Sequence, residues 1–159
     1  MKARAFFISL VCLWLGAALN LGLSTKISIF GAHPDFLLIL LSCMSLFLTR
    51  TGAAVLGFSC GLVFGLLSQA NLAAYGISRT VVGFIAGWFN DVGFQGSIFV
   101  AAITAILVTL LSQLLLMFIA PPPQLIPFLR DTIGTAMYNG VLAMPFYALL
   151  NRLLDPPTR

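Results

Sequence analysis

The 159-residue chain has no glutamate, four aspartates, one histidine and three cysteines, and charged residues make up only 8% of it. A soluble domain carries about 25% charged residues. With 60% hydrophobic content and a mean hydropathy of +1.08 beside this shortage, a water-soluble globule is excluded. A chain this short has too little interior to hide so much apolar surface, so the bilayer is its solvent. The same scarcity removes most catalytic chemistry. The aspartates fall at four different ends of apolar runs, so none pairs with another as a general acid and base, and His33 stands alone. Cys12, Cys43 and Cys60 lie inside apolar runs without metal-ligand spacing and read as small buried hydrophobes. Neither a metal nor a cofactor is expected, and the chain does not read as an enzyme. Eight lysines and arginines give a net charge of +4, but they are spread thinly over the connections. They form no nucleic-acid patch and act instead as topology signals. There is no internal repeat and no connection long enough for a soluble domain.

What the chain has in quantity is glycine at helical spacing. Gly57, Gly61 and Gly65 recur every four residues in one apolar run, and Gly76, Gly83 and Gly87 mark the next. Residues four apart share a helix face. In water each such glycine costs roughly 1 kcal/mol relative to alanine. In lipid the smooth face lets two helix backbones approach closely. The stretch from Gly52 to Trp88 therefore predicts two helices packed on their glycine faces. These faces either meet each other or are offered to a partner helix.

Six spans are predicted in an all-α bundle forming a single membrane domain over residues 1–159: 5–23, 34–48, 52–67, 77–89, 98–120 and 132–154. The first follows Lys2 and Arg4 and resembles a signal sequence, but its 19 or so apolar residues suffice to cross, and it is read as uncleaved. Pro34 and Asp35 open the second, where proline suits the first turn and aspartate complements the positive end of the helix dipole. Thr49-Arg50-Thr51 is a tight turn. An elbow, 68–78, precedes the short fourth span, taken to start close to Arg79. Pro121-Pro122-Pro123 stops the fifth, and Asp131 falls in the N-cap region of the sixth. Interiors of the spans are expected to hold only amides and hydroxyls, such as Gln113 and Asn139. Both termini fall on one side. Lys2, Arg4, Arg50, Arg152 and Arg159 gather there against Lys26, Arg79 and Arg130 opposite, which makes the terminal side cytoplasmic.

His33, Pro34, Asp35, Gln69, Asn71 and Arg79 are all placed at the outer ends of spans. They read either as ordinary caps and solvated loop ends or as a polar mouth for a ligand or partner, with Asp35 and Arg79 as a candidate pair.

The motifs Pro34-Asp35-Phe36-Leu37-Leu38, the Thr-Arg-Thr turn, Gly57-Phe58-x-x-Gly61-Leu62, Leu66-Leu67-Ser68 and Gly83-Phe84-x-Ala86-Gly87 resemble those of the rod shape-determining protein MreD family. The resemblance is carried by the first 90 residues or so. The chain departs from the family pattern at Gly65, where an aspartate is common, and near Gln69, where a glycine is. The resemblance implies a non-enzymatic protein of the bacterial inner membrane, part of the cell-elongation complex that guides peptidoglycan synthesis. Its implied partners are a bitopic MreC-type protein, an MreB-type actin homologue, a membrane glycosyltransferase and a class B penicillin-binding protein. It also implies a fold similar to the substrate-binding subunits of energy-coupling-factor transporters, and so an alternative role as a vitamin- or metal-binding subunit. Such a subunit needs a polar pocket of hundreds of cubic ångströms. The glycine content predicts close packing without a cavity and favours the docking role.

Overall fold

A computed structural model describes residues 2–24, 26–28, 32–93 and 97–154, with side chains from residue 7 onward. Within these the architecture is all-α, with six helices: α1 (Lys2–Gly22), α2 (Phe36–Ser45), α3 (Arg50–Leu67), α4 (Leu72–Asp91), α5 (Ile98–Ile119) and α6 (Leu125–Leu154). The four from α3 to α6 are long and apolar enough to cross a membrane. The side chains of Lys2 and Arg4, and all of Asp155 and Arg159, lie outside the described residues.

The bundle is built around α2. Its ten residues, FLLILLSCMS, are all buried, and it touches each of the other five helices. A helix apolar on every face belongs in an interior rather than at a surface. At 1.5 Å per residue it extends about 15 Å, half of a ~30 Å hydrocarbon core. The second apolar run is thus a half-helix, not the span 34–48 expected from its length. Asp35 caps it, accepting from the Leu37 and Leu38 amides, and Thr49 caps α3 by accepting from the Gly52 amide. The segment before α2 is held along α6. Tyr138 donates to the Ile27 carbonyl at 3.0 Å, Thr135 donates to that of His33 at 3.0 Å, and Ala32 packs on Gly134.

Helices α3 and α4 form an antiparallel hairpin whose backbones touch. A Cβ built at Gly61 would stand 2.5 Å from the Tyr75 carbonyl oxygen, and one at Gly87 would stand 2.7 Å from the Arg50 Cα. At Gly57 and Gly83 a Cβ would collide with the carbonyls of Arg79 and Ala53. Gly65 sits close against Leu72, whereas Gly76 has ordinary clearance. This seam is held by dispersion between backbones that no side chain keeps apart.

Two helix starts differ from the sequence reading. Helix α4 begins at Leu72, because Asn71 caps it by accepting from the Ala74 amide at 3.2 Å. Most of the expected elbow is therefore its first two turns. Helix α6 begins at Leu125, so Asp131 lies inside it on an exposed face instead of at its cap. Pro127 falls in the first turn, where the missing N–H has no intrahelical acceptor to lose.

Candidate functional site

Starting α4 at Leu72 carries Arg79 two turns into the bundle, where only 1% of it is accessible. A lone guanidinium at this depth would be very costly. It is paid for by Asp35, whose Oδ2 accepts from Arg79 Nη2 in a salt bridge. Nη1 donates to the Cys60 carbonyl on α3 at 3.4 Å. The guanidinium lies over the Phe64 ring, 4.1 Å from its centroid, with Tyr75 at 5.7 Å; the two rings pack at 4.9 Å. The ring faces supply negative potential where water is excluded. Arg79 Nε is buried without a hydrogen-bond partner among the described residues.

Asp35 is equally committed. Its Oδ1 accepts from Leu37 N at 3.1 Å, Leu38 N at 3.2 Å and Asn20 Nδ2 at 3.2 Å. Asn20 Oδ1 in turn accepts from the Phe36 amide at 3.1 Å. The Asp35 amide donates to Asn139 Oδ1 at 3.0 Å. Asn139 Nδ2 donates to Thr109 Oγ1 at 3.0 Å, and Thr109 donates back to Ala105 O at 2.7 Å. One connected polar network thus draws on all six helices. Its carboxylate faces the amide end of α2, where the helix dipole favours an anion. Four donors, one guanidinium N–H and three others, thus converge on the Asp35 carboxylate.

The six candidate residues do not form one mouth. The structure brings Asp35 and Arg79 together and seals them beneath Phe64 and Tyr75. Pro34 is buried beside them, its carbonyl accepting from Ser24 Oγ at 2.8 Å. His33 is exposed, with Nδ1 3.4 Å from the Ser24 carbonyl. Asn71 is spent on its cap. Gln69 sits in the α3–α4 turn with φ +51°, and the amide of Ala70 donates to Gly65 O at 3.1 Å, closing a Schellman turn. Interiors holding only amides and hydroxyls are therefore not what is found, since a charged pair lies at their centre. Sequence reasoning also missed Asn20 and Thr109, which have no local signal. The Asn71 cap ahead of an apolar run was a signal for the true start of α4.

Among the described residues no group of three or more His, Cys, Asp or Glu converges as a metal site. A second ion pair, Arg50 with Asp91, joins the opposite ends of α3 and α4, partly in solvent and with Arg50 5.1 Å over the Trp88 ring. Contrary to the expectation of a bundle without cavities, two lateral grooves open between helices. One of about 510 Å³ lies between α4, α5 and α6, and one of about 330 Å³ between α1, α2 and α6. Neither reaches Asp35 or Arg79.

The family profile described as rod shape-determining protein MreD matches residues 2–155. No curated protein and no solved structure matches the chain.

Proposed function

The chain belongs to the rod shape-determining protein MreD family, and on that premise we propose that it is a non-enzymatic docking subunit of the cell-elongation complex. It is a rod-shape-determining membrane protein. In the proposed role it holds a bitopic MreC-type partner, and through it the MreB-type filament, the glycosyltransferase and the class B penicillin-binding protein that build the side wall. One observation carries this reading: the ionic centre, Asp35 with Arg79, is buried in a network that joins the six helices. Large apolar residues face outward along the helices, Ile126, Trp14, Phe118 and Phe99 being the most open at 72–82%. Such a molecule is a rigid body with an apolar perimeter, suited to helix–helix association.

We place it in the bacterial inner membrane with the Arg50 end cytoplasmic. Arg50 and Arg152 lie toward that end, and the withdrawal of Arg79 into the bundle leaves only Lys26 and Arg130 on the other. This strengthens the charge asymmetry that orients membrane proteins.

The groove of about 510 Å³ has the size of a ligand site and is the observation that favours the transporter-subunit alternative. Against it, the groove has only two polar lining residues and misses Asp35, Gln69 and Arg79. Affinity purification from native membranes in mild detergent, with mass spectrometry of proteins and small molecules, separates the two roles. The docking role predicts recovery of the MreC-type protein without a stoichiometric ligand. Recovery of transporter ATPase subunits or a bound vitamin would overturn it.

A further inference from the structure

The groove between α4, α5 and α6 is lined by Gln113 on α5, Thr132 on α6 and otherwise hydrophobic side chains. Within α5 and α6, the side chains of Gln113 and Thr132 form no hydrogen bond to another described residue. At 1.5 Å per residue, Gln113 is about 9 Å from the Ile119 end of α5 and Thr132 about 10 Å from the Leu125 end of α6. Both line one groove at about the same distance along their helices from the α5–α6 connection, less than the half-thickness of a ~30 Å hydrocarbon core.

An amide and a hydroxyl with nothing to bond are disfavoured at that level, where no water reaches them. Acyl chains filling the groove would leave them so, since lipid tails carry no donor or acceptor at this depth. A transmembrane helix can bring a polar side chain to them. Residues 107–117 of α5 run along the groove for about 15 Å, three turns of such a helix. The other groove, between α1, α2 and α6, has an apolar lining apart from Cys12 and Gly16, and lipid tails satisfy it without loss.

We propose that the groove between α4, α5 and α6 is the docking site for a single transmembrane helix of a partner, which presents a hydroxyl or amide side chain to Gln113 and Thr132. The site rests on the docking role above and gives it a location.

The test uses the full chain in its native membrane, co-expressed with the MreC-type bitopic protein. A photo-crosslinking residue is placed at Leu114 in this groove or at Leu15 in the other. The expected result is a crosslink to the partner's transmembrane segment from Leu114, with at least tenfold less from Leu15. Gln113→Leu should lower the recovered complex about three- to tenfold, the range of one interhelical hydrogen bond in lipid. Its folded yield should be unchanged or higher, because an unpaired amide has been removed. Thr132→Val should act in the same direction.

A crosslink from Leu15 alone, crosslinks to lipid alone, or undiminished complex with both substitutions overturns this site. So does the absence of crosslinks while the partner still co-purifies. Failure of the partner to co-purify at all overturns the docking role, and the site with it.

Discussion

Among the described residues two arginine–aspartate ion pairs of the same chemistry stand in opposite surroundings. Arg50 and Asp91 meet at one end of the α3–α4 hairpin with side chains 41% and 39% accessible; Arg79 and Asp35 meet inside the bundle at 1% and 8%. The first pair is solvated whether or not it forms, so its contribution is small and screened by salt. The second has no solvent to fall back on. Each member is tolerated only because the other is present, and loss of either leaves an uncompensated charge. A surface pair adjusts the fold; a buried pair becomes a condition for it.

The contrast can be broken most severely at the buried pair. Asp35→Asn keeps the shape but strips the countercharge from Arg79, and should lower stability by about 3–5 kcal/mol, read by unfolding in mixed micelles. The hairpin that carries both arginines can be broken next. Gly61→Leu drives a side chain into the Tyr75–Gly76 backbone and should cost roughly 3 kcal/mol or more, with loss of folded protein on size-exclusion chromatography. Wild-type yield would show that α3 and α4 do not need their close approach. The hairpin can also be tightened. Gln69 holds a left-handed conformation that costs a side chain about 1–2 kcal/mol, so Gln69→Gly should raise stability by about 1 kcal/mol, measured by the same unfolding assay. The smallest effect belongs to the exposed pair. Asp91→Asn should cost less than about 1 kcal/mol, and the loss should shrink as salt is raised.

These differences also mark what the sequence makes legible. Glycines four apart announce a close-packed helix pair, because the needed feature is the absence of a side chain at a fixed local period. Asp35 before an apolar run announces a cap for the same reason of short range. Arg79 was misread. A charge next to an apolar stretch looks like a boundary by hydropathy, and its pairing with Asp35, 44 residues earlier, leaves no mark in local spacing. The half-helix α2 differs from the expected span likewise, since nothing in PDFLLILLSCMSLFL shows that Ile27, Ala32 and His33 ahead of it pack on α6. The groove polar residues Gln113 and Thr132 look like any amide or hydroxyl in a membrane helix. Only the packing of α5 on α6 brings them into one groove.

The central claim is that Asp35 and Arg79 hold the bundle together and do not themselves form the docking mouth. Its most direct test is the amount of MreC-type partner recovered per folded molecule of Asp35→Ala. Stability should fall sharply while partner recovered per folded molecule stays within about twofold of wild type, a difference of roughly 0.4 kcal/mol. Wild-type stability with partner recovery lost would contradict the account and make Asp35 part of the contact surface.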